Sequence, residues 1–179
     1  MPATHIALLR GINVGTAKRV PMADLRELFA GLGYTGVATL LNSGNVVFNA
    51  KRETAGRAEK RIEKAIEGRF GFTSRVTVIT AAELAAIVKE NSLGEAADNH
   101  SRLMVAFLKT PAERAKLAPL AGRDWKPGLL ALGARAAYLW CPDGLLESPL
   151  ASEMGRVLGD AVTTRNWATV LKLAALAAR

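Results

Sequence analysis

The sequence predicts an α+β fold of two ferredoxin-like βαββαβ halves in tandem, closed by a C-terminal helix. Three observations predict it. The order strand, helix, strand, strand, helix, strand can be read twice along the 179 residues. In each half the first helix opens on a proline, Pro21 and then Pro111. In each half the two middle strands flank a short glycine turn, Ser43-Gly44 and Gly133-Ala134. Residue identity between the halves is negligible, so the repeat rests on element order alone.

The elements follow in sequence. THIALLRG (4–11) is a short apolar run stopped by glycine, which reads as a strand. In PMADLRELFAGLG (21–33), Pro21 fits the first helical position. Met22, Leu25, Leu28, Phe29 and Leu32 recur at helical spacing, and Gly33 ends the run. VATLLN (37–42) and NVVFNA (45–50) form a hairpin about Ser43-Gly44. Residues 53–70 give a charged helix with Ala58, Ile62, Ala65, Ile66 and Phe70 inward, and SRVTVIT (74–80) is the fourth strand. Thr80 and Glu83 then make a capping box for a helix that runs to residue 91.

The second half repeats this with RLMVAFLKT (102–110), PAERAKLAPL (111–120), LLALG (129–133), RAAYLWC (135–141), SPLASEMGRVLG (148–159) and DAVTT (160–164). RNWATVLKLAALAAR closes the chain as a helix with Arg165 and Asn166 in its first turn. The expected division is an N-terminal half at 1–80, a connecting helix and linker at 81–101, and a C-terminal half with the terminal helix at 102–179.

Half the residues are hydrophobic and 22% are charged, which suits a globular protein with an ordinary core. The net charge is +8. That balance bears on partners, not on fold, and favours nucleic acid, a phosphorylated small molecule or an acidic protein surface. The basic excess is local. Residues 1–20 carry three basic side chains and no acidic one, and residues 101–141 carry seven basic and two acidic. One cysteine, Cys141, excludes an intrachain disulfide and fits a reducing compartment. No signal peptide or membrane span is expected, so the chain reads as cytoplasmic.

The segment between the first strand and first helix is the strongest functional signal. Strand-to-helix connections usually have about two to six residues, and this one has about ten. It contains Arg10, Gly11, Asn13, Gly15, Lys18 and Arg19. In a ferredoxin-like unit the first two strands run parallel, so this loop and the Asn42-Ser43-Gly44-Asn45 turn lie at one end of the sheet. Glycines allow close backbone approach, arginine binds carboxylate or phosphate bidentately, and a helix N-terminus favours negative charge. Together they describe an anion cradle. The opposing reading is that Gly11 and Gly15 only permit turns and Arg10 pairs with a carboxylate inside the protein. On the sequence alone both stand. The loop is neither a P-loop nor a dinucleotide fingerprint, because GINVGTAK has the wrong spacing for both.

LLRGINVG, M..L...F..LG, NSGNVVF and TTRNWATVLKL, in that order over nearly the whole chain, resemble the DUF1697 family, a domain of unknown function. The motifs map onto Arg10, Gly11, Asn13, Gly15, Met22, Ser43, Gly44, Asn45, Arg165, Asn166 and Trp167. The resemblance implies a bacterial-type cytosolic α+β protein of two related halves, and it supplies no activity. This chain has Thr16 where the family commonly has glycine, and Asn42 where it commonly has glutamine.

The remaining candidates weigh less. Arg165 and Asn166 at a helix start offer a second anion contact, or else a structural ion pair and a cap, with Trp167 docking the helix. Ser43 has no base placed to activate it and reads as a turn residue. His5 and His100 lack metal-ligand spacing with Cys141 or any carboxylate, so no metal is expected. No cofactor motif is present. Cys141 reads as a buried strand-end thiol. The helix at 53–70 alternates charge and reads as a solvated face. Tyr138 and Trp140 share a strand face but lack the RNA-recognition pattern, and read as core.

The leading expectation is a module binding a phosphate-bearing ligand, a nucleotide or nucleic acid, with Arg10, Gly11, Asn13, Gly15, Lys18, Arg19, Ser43, Asn45, Arg165 and Asn166 as candidate contacts. The alternative is a protein-interaction or structural module in which the same motifs hold the fold together. A hydrolase or transferase on a phosphorylated metabolite ranks last, because no nucleophile, base or metal site is identifiable.

Overall fold

ATHIALL becomes a central strand because nearly all of it can be buried. Ile6, Ala7, Leu8 and Leu9 are wholly inaccessible, so the strand needs cover on both faces and partners on both edges. The computed structural model describes residues 2–159 and 162–179. Its first half forms β1 (Ala3–Leu9), α1 (Met22–Gly31), β2 (Thr35–Leu40), β3 (Asn45–Ala50), α2 (Ala55–Phe70) and β4 (Val76–Thr80), followed by α3 (Ala81–Glu90). The second half forms β5 (Leu103–Phe107), α4 (Pro111–Ala121), β6 (Leu129–Leu132), β7 (Ala136–Trp140), α5 (Pro149–Leu158), β8 (Thr163–Asn166) and α6 (Trp167–Ala177).

The sheets are four-stranded and antiparallel, in the orders β2-β3-β1-β4 and β6-β7-β5-β8. These are two tandem βαββαβ units plus a C-terminal helix. The chain divides into two compact units, Met1–Leu84 with Lys172–Arg179, and Ala85–Leu171. The division therefore falls inside α3 and inside α6.

In the first unit α1 and α2 cover one face of the sheet. Ala7, Leu9, Leu25, Phe29, Phe48, Ile62 and Ile66 form that core. Phe48 meets Phe29 edge-on at 5.3 Å and Tyr34 at 4.5 Å between ring centroids. Leu9 and Ala7 reach this core from alternate positions of β1, and Ile6 and Leu8 are buried on its other face. In the second unit Met104, Ala106, Leu117, Leu139, Leu150 and Met154 form the equivalent helix-side core. The Tyr138 hydroxyl donates to the Ile87 carbonyl of α3 at 2.6 Å, so Tyr138 is core as its strand pattern predicts, while Trp140 is partly exposed.

The expected capping box forms. Thr80 and Glu83 bond reciprocally: the Glu83 carboxylate accepts from the Thr80 N–H at 2.8 Å, and the Thr80 hydroxyl accepts from the Glu83 N–H at 3.1 Å. Thr110 caps α4, with Pro111 at its first position, and Ser148 caps α5. Pro21 departs from expectation. Its ψ of 137° makes it the extended N-cap residue of α1, not the first helical one. The strand expected at 160–164 is displaced to Thr163–Asn166, and Asp160 and Ala161 lie outside the described residues.

One ion pair ties the first unit's connections together. Arg61 donates to both Glu53 oxygens at 2.9 and 3.1 Å and to the Leu32 carbonyl at 2.7 Å, with its guanidinium 5.3 Å from the Tyr34 ring centre. Burial works to raise the Glu53 carboxyl. The Arg61 hydrogen bond, helped by the neighbouring Tyr34 hydroxyl and the charge of Arg57, outweighs it and holds the group below its ordinary 4.5. A carboxyl lowered on folding stabilises the fold above its unfolded pKa, and the contribution is lost as pH falls through the folded value. Glu53→Gln should therefore flatten the fall in urea-measured stability below about pH 4.5, relative to the parent chain.

Candidate functional site

Antiparallel pairing of β1 with β3 and β4 fixes what meets at the end of β1. Leu8 lies opposite Asn45 at the start of β3, and Leu9 lies opposite Val76 at the start of β4. Three connections therefore converge there: residues 10–21, the hairpin 41–44, and the segment 71–75 after α2. The expected meeting of the long loop with the hairpin is present. The Leu9 N–H donates to the Gly44 carbonyl at 2.8 Å, and Asn13 Nδ2 donates to the Asn42 carbonyl at 2.7 Å. The third connection joins through backbone and side chain alike. The Arg10 N–H donates to the Arg75 carbonyl at 2.9 Å, the Ser74 hydroxyl donates to the Arg10 carbonyl at 2.8 Å, and Lys18 Nζ donates to the Thr73 carbonyl at 3.1 Å. Lys18 also lies over the Phe72 ring, 5.6 Å from its centre.

Asn13 is the clamp of the long loop. Its φ is 55°, a left-handed conformation that asparagine tolerates better than most residues. Its side-chain oxygen accepts from the Val20 N–H at 2.8 Å, while Nδ2 donates to the Val20 and Asn42 carbonyls. Its backbone N–H donates to the Lys18 carbonyl at 3.1 Å. With Ile12 and Val20 buried, the loop is pinned at both ends. Asn13 was expected to contact ligand, but its amide is spent within the protein. Asn45 departs in the same way. It is fully buried, and Nδ2 donates to the Leu40 carbonyl and the Ser43 hydroxyl, both at 2.9 Å. Ser43 sits exposed at the turn as that acceptor. Gly44 is dictated by space as well as by its φ of 83°: an added Cβ would stand 2.7 Å from Leu9 Cβ and 2.9 Å from Ile12 Cδ1.

The crown of the loop is different. Gly11 and residues 14–19 are exposed. The backbone N–H groups of Val14, Gly15, Thr16 and Ala17 bond to nothing else among the described residues. Gly15 takes a φ of 62° there. Across the three connections stand four cations, Arg10, Lys18, Arg19 and Arg75, and no aspartate or glutamate. Carboxylates that border them are engaged: Asp24 and Glu27 with Arg69, and Glu63 with the Val76 N–H. Asp24 occupies the first turn of α1. It already answers that helix's positive end, so the expected help from the helix terminus is diminished. Val14 and Leu41, two of three large apolar side chains that are exposed among the described residues, lie on this same edge at 71% and 52%.

Arg75, Phe72 and Thr73 were absent from the sequence-based set. The signal was available: β4 must begin where β1 ends, so the segment after α2 has to join this edge.

Arg165 and Asn166 are not in a helix. They end β8, where Arg165 pairs in register with Val105 and Asn166 with Met104. Asn166 Oδ1 then accepts from the Thr169 N–H at 2.9 Å and caps α6. The expected first helical turn at Arg165 and Asn166 therefore does not form. Arg165 Nη1 donates to the Thr164 carbonyl at 2.8 Å, and burial pushes the guanidinium down to about 10. Both residues belong to the second unit.

No group of three or more His, Cys, Asp and Glu side chains comes together among the described residues to hold a metal ion. No helix among them is long and apolar enough to cross a membrane.

The second unit supplies an internal contrast. There residues 108–110 join β5 to α4, where residues 10–21 join β1 to α1. The long basic loop is an addition to a unit that closes without one.

The family model described as "Protein of unknown function (DUF1697)" matches residues 3–138. A solved structure described as the conserved bacterial protein SP0830 from Streptococcus pneumoniae superposes with a TM-score of 0.81, at 20% identity over 100% of both chains. No curated protein matches.

Clamp and crown should separate by mutation. Asn13→Ala should lower unfolding stability by about 2–4 kcal/mol, because it strands two carbonyls and an N–H and puts alanine at positive φ. Arg19→Ala should change it by less than about 0.5 kcal/mol. Urea titration of each variant checks both.

Proposed function

The chain belongs to the DUF1697 family, and from its own geometry we propose that it binds a phosphate-bearing ligand, a nucleotide or nucleic acid, at the basic end of the first sheet. One observation carries the reading: three connections bring Arg10, Lys18, Arg19 and Arg75 to one edge without a carboxylate among them. Basic side chains gathered on one edge give it a positive field that attracts an anion. The crown adds N–H donors at Val14–Ala17, which suit phosphate oxygens. Val14 and Leu41 add apolar surface for a sugar or base. The ligand set is Arg10, Gly11, Gly15, Lys18, Arg19 and Arg75, with Ser43 at the rim. Arg165 and Asn166 act in the fold of the second unit. The buried, single cysteine suits a cytoplasmic setting.

A protein-interaction or structural role is the second reading. Its support is that Asn13, Gly44 and Asn45, all motif residues, spend their polar groups or their space inside the fold.

Thermal denaturation with mononucleotides, pyrophosphate, sugar phosphates and short RNA and DNA, at low and moderate salt, separates the readings. A ligand at about 100 times its Kd adds about 2.7 kcal/mol, which for a chain of this size raises Tm by roughly 5–10 °C. Arg19→Ala/Arg75→Ala is the control, since both side chains are exposed. The variant should keep the parent Tm and lose the shift. A shift that survives in the variant, or no shift with any phosphate compound, rejects the site.

A further inference from the structure

The second unit holds a cavity of about 230 Å³ between residues 125–128 and residues 141–150. Trp125, Pro127, Pro142, Pro149 and Leu150 give it flat, apolar walls. Its frame is fixed. Trp125 Nε1 donates to the Leu120 carbonyl at 2.7 Å, so the indole cannot swing in to fill the space. The Ser148 hydroxyl oxygen accepts from the Ala151 N–H at 3.2 Å at the start of α5. The Cys141 thiol at the wall is almost wholly buried, and burial pushes it up, so it presents a neutral surface.

The charges at the lining decide what could enter. Asp143 and Glu147 both line the cavity and are both exposed. Neither carboxylate has a hydrogen bond or ion pair among the described residues. The one lining cation, Lys126, lies 3.7 Å from Asp124. The start of α5 contributes roughly half a positive charge at most. Two full negative charges outweigh it, in a protein whose net charge is +8. The Trp125 ring already draws one cation, with the Arg123 guanidinium 5.9 Å from its centre.

We propose that this cavity is a binding site distinct from the basic edge, taking a small planar aromatic or heteroaromatic body that carries a cationic amine or amidine. The ring lies among Trp125 and the prolines, and the cation faces Asp143 and Glu147. The volume is below the roughly 300–1,000 Å³ of pockets for drug-sized ligands, so a single or fused ring fits it.

The test is a titration of the ¹⁵N-labelled chain with benzamidine and with benzoate, which match in shape and oppose in charge. The Trp125 indole N–H, assigned from a Trp125→Phe spectrum, is the readout. Benzamidine should move this signal saturably and benzoate should not. Asp143→Asn/Glu147→Gln should weaken benzamidine by roughly three- to tenfold, the worth of one or two exposed ion pairs. Arg19→Ala/Arg75→Ala should bind it as the parent does. Equal binding of benzoate, indifference to the double rim variant, or no saturable shift with benzamidine overturns the proposal.

Discussion

The pairing of β1 between β3 and β4 is the constraint on which the first unit depends. A strand whose residues 6–9 are wholly buried cannot stand at an edge, so it takes partners on both sides. Antiparallel register then dictates that β3 starts, β4 starts and β1 ends at one end of the sheet. The chain has no freedom to place the three connections apart. Everything at the basic edge follows from that register, including the participation of residues 71–75.

The periodic parts of the fold were legible in the sequence. The helical spacing of Leu25, Leu28, Phe29 and Leu32, the capping box at Thr80 and Glu83, and the hairpin at Ser43-Gly44 all report local physics, and each is present. The meeting of the long loop with the hairpin was legible too, because topology alone fixes it. Two features were set by contacts distant in sequence. Arg165 and Asn166 read as helical because TRNWATVLKL has helical spacing after Trp167, yet pairing with β5 holds them in a strand. Asn13 and Asn45 read as ligand contacts because asparagine in a glycine-rich loop suits both roles. Only three-dimensional bookkeeping of donors and acceptors shows that both amides turn inward.

The motif residues thus divide by task. Asn13, Gly44 and Asn45 build the edge, and the cations with the exposed crown of the loop furnish it. A loop motif in this chain carries architecture and surface chemistry in adjacent positions, as Asn13 beside Val14 shows. The two units differ at their candidate sites: the connections at the end of the first sheet carry arginine and lysine and no aspartate or glutamate, and two carboxylates line an apolar slot in the second unit. Net charge alone conceals the second of these.

The Asn13 clamp has a consequence for the entropy of the basic edge. With both ends of the loop tied to one side chain and Ile12 and Val20 anchored in the core, the two ends of the crown are held in place. Ordering a flexible side chain on association costs about 0.5–1.5 kcal/mol, and ordering backbone costs more per residue. Here the part of that entropy that belongs to the anchored ends is spent during folding. On the proposed reading, an anion at this edge would meet a loop whose two ends are already placed, so less of the binding free energy would go to ordering it.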